Sequence, residues 1–328
     1  MTAPPLDTFL TPLEDFGLLG FEGPDARGFL QGQLSNDVEA LAPGRGQWTS
    51  YNSAKGRMLA NLWLWQAPGW PGHERYDALI AADLAAAIQK RLSMFVLRAK
   101  LRIVDRSAGH RFFGVAGAGA PHAIAAAFGR SPAAGEVVDI EGMPARTVAL
   151  PDGRFVVVAA SDVAAVVGEA LAAHAVAVDA DRWRALGVTA GIAWITAATS
   201  DQFVPQMINW DALSGVSFQK GCYPGQEVVA RMRYLGRLKE RLFLLHAEAL
   251  PPAPGTRLFS PAFDDQPCGT VMSSAPAAGG GSDLLAVVQM SAIDAPGLAL
   301  ASANGPPLVL RALPYPLPEV AAPRGRPA

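Results

Sequence analysis

Hydrophobic and polar positions change period several times along the chain, and each change marks an element. Residues 17–21 read as a short strand. A turn at Gly23-Pro24-Asp25 follows, then a helix carrying Phe29 and Leu30 with Asp25 as its N-cap. Residues 48–53 and 58–66 read as the strands of a hairpin around Ala54-Lys55-Gly56. Residues 83–97 carry Leu84, Ile88, Leu92 and Phe95 on one helical stripe, and residues 101–105 return as a strand.

From residue 111 to 180 the pattern alternates. Strand 112–116 precedes an Ala-rich helix at 121–128; strands 137–140, 145–150 and 155–159 follow, then helix 163–174. That order suggests a split, ferredoxin-like α/β unit. A helix at 182–191 leads into a long, weakly periodic loop that runs to Gln219 and holds Gln202, Pro205, Gln206, Asn209 and Asp211. Loops of this length inside compact domains are usually functional. Pro224 is expected to open a helix that runs through Arg231. Beyond it, short β segments at 242–246, 256–259, 269–273, 284–289 and 308–313 alternate with Pro/Gly turns, the pattern of a small antiparallel barrel. Residues 318–328 read as a Pro/Ala/Arg-rich tail.

Composition narrows the class. The 328 residues are half apolar, only 17% charged and carry a net charge of −2, which excludes a disordered chain and a globally basic nucleic-acid binder. Charge is nonetheless local: residues 87–111 total +6 and residues 219–241 total +4. These runs read either as solvated faces or as a basic groove for an anionic ligand or RNA phosphates. With two cysteines and no Cys-x-x-Cys or His-Glu-x-x-His, a disulfide scaffold and a resident transition metal are not expected. The longest uncharged stretch, 112–129, is interrupted by glycines, Pro121 and His122 and does not read as a membrane span. No Lys or Arg precedes Arg27, so no targeting peptide is expected, and the setting is read as cytoplasmic.

The sharpest chemistry lies at Phe218-Gln219-Lys220-Gly221-Cys222-Tyr223-Pro224-Gly225-Gln226-Glu227. A helix opening at Pro224 would place Cys222 just before its positive end, with the Lys220 cation beside it, and both favour a thiolate. Cys268, at the start of a barrel strand, reads as structural. No Walker A motif, nucleophile elbow or dinucleotide fingerprint is present.

Lys220-Gly221-Cys222-Tyr223-x-Gly225-Gln226-Glu227, with Ala230-Arg231, resembles the signature of the YgfZ family. Residues 23–38, Asn52-x-x-Lys55-Gly56-Arg57-Met58, Leu97-Arg98-x-Lys100, Ala190-Gly191-Ile192, Gln202-Phe203-x-Pro205-Gln206 with Asn209, and Leu313-Pro314-Tyr315 are similar to its other blocks. The resemblance implies an α+β, GcvT/YgfZ-like three-lobed fold. Two interleaved ferredoxin-like α/β lobes would occupy residues 1–240 and an antiparallel β-barrel residues 241–317. It implies a tetrahydrofolate-binding factor for iron–sulfur cluster assembly or repair, related to the aminomethyltransferase of the glycine cleavage system. Its partners would be the iron–sulfur machinery and client enzymes, including tRNA-modifying radical enzymes, with the chain a monomer and direct RNA binding not expected.

By the same resemblance, Cys222 is the functional thiol and Lys220 its activating cation. Trp183 and Phe16 would be the aromatic folate contacts, and Asn52, Arg57, Gln206, Asn209, Tyr223, Gln226, Glu227 and Arg231 the remaining binding set. One departure stands out. The related transferases carry a catalytic aspartate in the strand equivalent to 58–66, whereas no Asp or Glu occurs here from Gln47 through His73. Asn61 is the nearest isostere and cannot be anionic. Aminomethyl transfer is therefore not expected, and a folate-dependent one-carbon transferase is the alternative reading.

Overall fold

The structure is a computed structural model and describes residues 8–70, 73–234, 238–264 and 266–318. The chain divides into two compact units. One comprises residues up to Gln31, Val38–Gln47 and Leu62–Trp183; the other comprises Gly32–Asp37, Trp48–Asn61 and the chain from Arg184 on. The polypeptide thus passes between the units five times.

The first unit contains a six-stranded sheet in the order Val176–Ala177, Phe9–Pro12, His110–Ala116, Phe155–Ala160, Ala145–Ala149, Val137–Asp139. Only the short Val176–Ala177 edge is parallel to its neighbour. Helices Ala120–Phe128 and Ala164–Ala172 cover it, burying Val115, Ile124, Phe155, Val157, Val167 and Leu171. Gly129 (φ +78°) ends the first of these helices in the left-handed conformation. The elements expected over 111–180 are all present, with ends shifted by one or two residues.

A second sheet carries the central strands His73–Ala81 and Phe16–Gly23, edged by Arg102–Asp105 and by the hairpin Gly46–Asn52/Met58–Trp70. Asp77 is buried in it and is met by three guanidiniums: Arg75 at 2.7 Å, Arg146 at 3.4 Å and Arg106 at 3.8 Å. Arg106 also pairs with Glu22 and Arg146 with the half-exposed Asp139, so three guanidiniums meet three carboxylates. Gly20 gives the network its room, because a Cβ there would lie 2.5 Å from Arg106 Nε.

Two local expectations are corrected. The helix expected to reach residue 97 is Ala82–Ser93, and Phe95 is exposed rather than on the buried stripe of Leu84, Ile88 and Leu92. The cause is local. Ser93 Oγ turns back onto Gln89 O, and the N–H groups of Met94, Phe95 and Val96 bond three residues back, tightening the last turn until it ends. Asp25 contributes its backbone carbonyl to helix Ala26–Gln33, but its carboxylate accepts from Lys100 N (2.6 Å) instead of capping the helix.

The second unit is built on a curled antiparallel sheet in the order Ala299–Leu300, Arg257–Phe259, Pro267–Pro276, Ser282–Gln289, Glu240–Ala247, Leu308–Arg311. Leu245, Leu258, Val271, Leu284, Ala286 and Cys268 fill its concave side. Cys268 is 2% exposed, and burial pushes its thiol up, which suits an inert core cysteine. The long loop before residue 219 holds one short 3₁₀ turn, Pro205–Ile208. The tail expected from residue 318 lies, after Pro318 itself, outside the described residues.

Candidate functional site

In the cysteine segment, Tyr223-Pro224-Gly225-Gln226 closes a β-turn, with Gln226 N–H donating to Tyr223 O (3.2 Å) and Gly225 at φ +77°. Pro at the second position and a left-handed glycine at the third are the residues a type II turn requires. The helix begins at Gln226 and runs to Tyr234, so Pro224 belongs to the turn and not to the first helical position. Cys222 therefore stands four residues ahead of the helix rather than two, further from its positive end than expected.

The turn is held from several sides within its unit. Gln226 Oε1 accepts from Tyr223 N–H (3.2 Å). Tyr223 is buried, its hydroxyl pushed up to about 12 by burial. Lys220 lies 5.3 Å from the Tyr223 ring centroid and donates from Nζ to the carbonyls of Leu34 (2.6 Å) and Asn36 (3.0 Å). Amid this scaffold Cys222 is exposed. Arg231 and Glu227 form an i,i+4 ion pair at 2.8 Å on the exposed helix surface, an arrangement that contributes little stability.

The hairpin loop bearing Asn52 and Arg57 packs on this turn. Gly56 (φ +74°) and Gly225 meet backbone to backbone, and a Cβ on Gly225 would fall 2.5 Å from Gly56 N. Ser53 Oγ donates to Asp201 Oδ1 (2.8 Å), and Met58 exchanges backbone bonds with Phe203 and Asp201. Asn52 is 1% exposed, and neither amide atom has a partner; the Oε1 of buried Gln206 is unpartnered too. Arg57 is exposed on the wall of a pocket of about 320 Å³, whose other polar side chains include Gln202, Glu240, Arg257, Thr270 and Gln289.

Other expected ligand contacts serve the scaffold. Gln206 Nε2 donates to Val229 O (2.6 Å), tying the 3₁₀ turn to the cysteine helix. Asn209, left-handed at φ +61°, donates to Leu242 O (2.9 Å) and Tyr315 Oη (3.4 Å) and accepts from Arg241 (3.0 Å). Arg241 grips Asp211 through both terminal nitrogens at 3.0 and 2.9 Å. Tyr315 Oη in turn donates to Gly191 O (2.7 Å). The Arg241–Asp211 pair was not singled out from the sequence, because nothing in its spacing marks it.

Trp183 and Phe16 belong to the first unit, and both are largely buried at 6% and 8% exposure. The Arg154 guanidinium lies 4.4 Å from the Trp183 ring centroid, and a Cβ on Gly114 would touch the indole at 2.6 Å. Within its unit Trp183 is a packing anchor. Asn61 is fully buried, donating to Ala193 O (2.9 Å) and accepting from Ile195 N (2.8 Å), so its amide is committed to the fold. Among the described residues no group of three His, Cys, Asp or Glu could hold a metal ion. No helix among them is long and apolar enough to cross a membrane.

The fold is of the aminomethyltransferase type. The crystal structure of the glycine cleavage system aminomethyltransferase T from Bartonella henselae superposes with a TM-score of 0.74, covering 94% of this chain and 86% of that one at 15% identity. No family model matches the chain. The tRNA-modifying protein YgfZ of Serratia proteamaculans is 37% identical over 242 residues, 73% of this chain and 71% of that protein. The tRNA-modifying protein YgfZ of Edwardsiella ictaluri is 33% identical over 292 residues, 88% of this chain and 86% of that protein. The chain belongs to the YgfZ family.

Proposed function

We propose that this protein binds a reduced folate and supports the assembly or repair of iron–sulfur clusters in client enzymes, among them enzymes that modify tRNA. The observation that carries the reading is the exposed Cys222 thiol on a turn otherwise tied down by Lys220, Tyr223, Gln226 and the Gly56–Gly225 contact. A lone inert cysteine is usually buried, as Cys268 is; an open one on a fixed loop is placed for chemistry. Cys222 would act as nucleophile or transient cluster ligand, and Lys220 would fix the loop that presents it. The protein would work as a cytoplasmic monomer alongside the iron–sulfur machinery.

For the folate, the unpartnered amide of Asn52 and the unpartnered Oε1 of Gln206 offer buried hydrogen-bonding capacity that a pterin edge or amide can use. Arg57 adds an exposed cation suited to a glutamate tail. A reduced pterin supplies an electron-rich ring and nitrogens that carry one-carbon groups. Stacking on Trp183 would require its ring to leave the cover of Arg154. The alternative, a one-carbon transferase, is weakened because no Asp or Glu occurs from Gln47 through His73 and the nearest isostere, Asn61, commits its amide to two backbone hydrogen bonds.

The test is rescue of tRNA modification and iron–sulfur enzyme activity in deletion cells by the wild type and by Cys222→Ala at matched expression. Rescue by the wild type alone is expected. Equal rescue by both removes the thiol from the mechanism, and failure of the wild type removes the proposed function.

A further inference from the structure

Eight large apolar side chains are exposed among the described residues, and three of them fall within four positions: Met94 (60%), Phe95 (47%) and Leu97 (86%). They form the tip of the connection between helix Ala82–Ser93 and strand Arg102–Asp105. No acidic residue occurs between Asp83 and Asp105, while Lys90, Arg91, Arg98, Lys100 and Arg102 are all exposed. None of these five cations has an ion-pair partner among the described residues, so the apolar tip is ringed by uncompensated positive charge.

The tip is fixed at its base. Asp25 exchanges bonds with Lys100 through its carboxylate (2.6 Å) and its N–H (3.4 Å), and Gly23, at φ +141°, lets the chain approach the Lys100 carbonyl closely. Gln89 Nε2 reaches Ile103 O at 3.0 Å, tying the helix to the returning strand. A fixed loop loses little conformational freedom on docking.

We infer that the Met94–Phe95–Leu97 tip and its cationic ring form a docking surface for a protein partner that presents an apolar pocket rimmed by carboxylates. The composition suits a protein–protein contact: Met, Leu and an aromatic at the centre, with a charged rim that includes Arg. Phosphates would use the cations but leave Met94 and Leu97 without a counterpart. A lipid surface would be met by an amphipathic helix face, and helix Ala82–Ser93 turns its apolar stripe into its own core. The inference rests on the proposed function only for its cellular readout.

Two full-length variants test it: Met94→Ser/Phe95→Ser/Leu97→Ser and Arg98→Glu/Lys100→Glu. Both are expected to keep the wild-type thermal midpoint and the Kd for tetrahydrofolate, yet to fail in restoring tRNA modification to deletion cells. A photoreactive benzoyl-phenylalanine at position 95 is expected to cross-link in cells to an Asp/Glu-rich surface peptide of another protein. The charge reversal should cut that yield at least about tenfold. Rescue by both variants at wild-type level overturns the inference, as does a cross-link yield indifferent to charge reversal. Binding to unmodified tRNA or to phosphatidylglycerol vesicles at 0.15 M salt that the serine variant abolishes also overturns it, in favour of RNA or membrane. If the wild type itself fails to restore modification, the proposed function falls while the cross-link still decides the docking surface.

Discussion

Gly56 and Gly225 touch through their backbones, joining the hairpin loop of Asn52 and Arg57 to the turn that presents Cys222. Both glycines are left-handed, at φ +74° and +77°; Gly56 occupies the space where a Gly225 side chain would be, and a Cβ on Gly56 would fall 2.8 Å from Val228 Cβ and 3.0 Å from Gly225 O. Two sequence blocks 169 positions apart in numbering are thus one structural feature.

Gly225→Ala should therefore cost about 2 kcal/mol or more in urea unfolding, from left-handed strain plus a backbone clash that no rotamer relieves. Gly221→Ala is the control. A Cβ at Gly221 meets nothing within 4 Å, and its φ is not among the positive ones, so the change should stay within about 0.5 kcal/mol. Equal effects at the two positions would show that the contact does not constrain the turn.

Arg241 and Asp211 are 4% and 9% exposed in their side chains and are joined bidentately at 3.0 and 2.9 Å. Arg241→Ala leaves the Asp211 carboxylate and the Asn209 and Gln206 acceptors without their donor. The expected loss is about 3–5 kcal/mol. In a double-mutant cycle with Asp211→Asn the two changes should couple by about 1–3 kcal/mol. Strict additivity would place the value of Arg241 in packing alone.

Much of this fold was legible. The hairpin over residues 48–66, the α/β order of 111–180 and the C-terminal strands follow from two-residue and helical periods broken by Gly and Pro. The motif around Cys222 marked the segment that carries the thiol, but not its turn. The errors have local causes. The spacing of Leu84, Ile88, Leu92 and Phe95 runs on past Ser93, whereas the backbone tightens there, and periodicity carries no record of that. Pro224 suits both a first helical position and a type II turn, and only Gly225's conformation decides between them. Pairings across the chain leave no trace in spacing: Asn61 bonds Ile195 134 positions away, and Arg241 meets Asp211 30 positions away.

Asn61→Asp puts a carboxylate where the fold commits an amide, and it should disrupt the fold. An aspartate cannot donate to Ala193 O and would bury an unpaired charge against that carbonyl. The expected cost near neutral pH is about 3 kcal/mol or more. Burial should raise the new carboxyl's pKa, so the penalty should shrink as pH falls toward the ordinary carboxylate range. A penalty that is flat with pH would mean that the carboxylate finds solvent or a cation.

His246, on the strand Glu240–Ala247, lies opposite Asp283 in register and carries a carboxylate on each ring nitrogen. Nδ1 is 2.8 Å from Asp283 and Nε2 3.2 Å from Glu248. The hydrogen bond to Asp283, then that to Glu248, raises its pKa; burial and the nearby Arg311 oppose this. A histidine whose folded pKa lies above its unfolded value of about 6.5 stabilises the protein fully below that value. The contribution disappears as pH rises through the folded pKa. Stability of the wild type relative to His246→Gln should therefore be greatest near pH 5.5 and fall on the alkaline side, with unfolding midpoints followed across pH 5.5–8.5. Since Leu308–Arg311 pairs with the same strand, the protection factors of those amides, corrected for the intrinsic pH dependence of exchange, should fall over that range in the wild type and stay level in the variant. A difference between the two proteins that does not change with pH would show that the imidazole contributes by packing and not by charge.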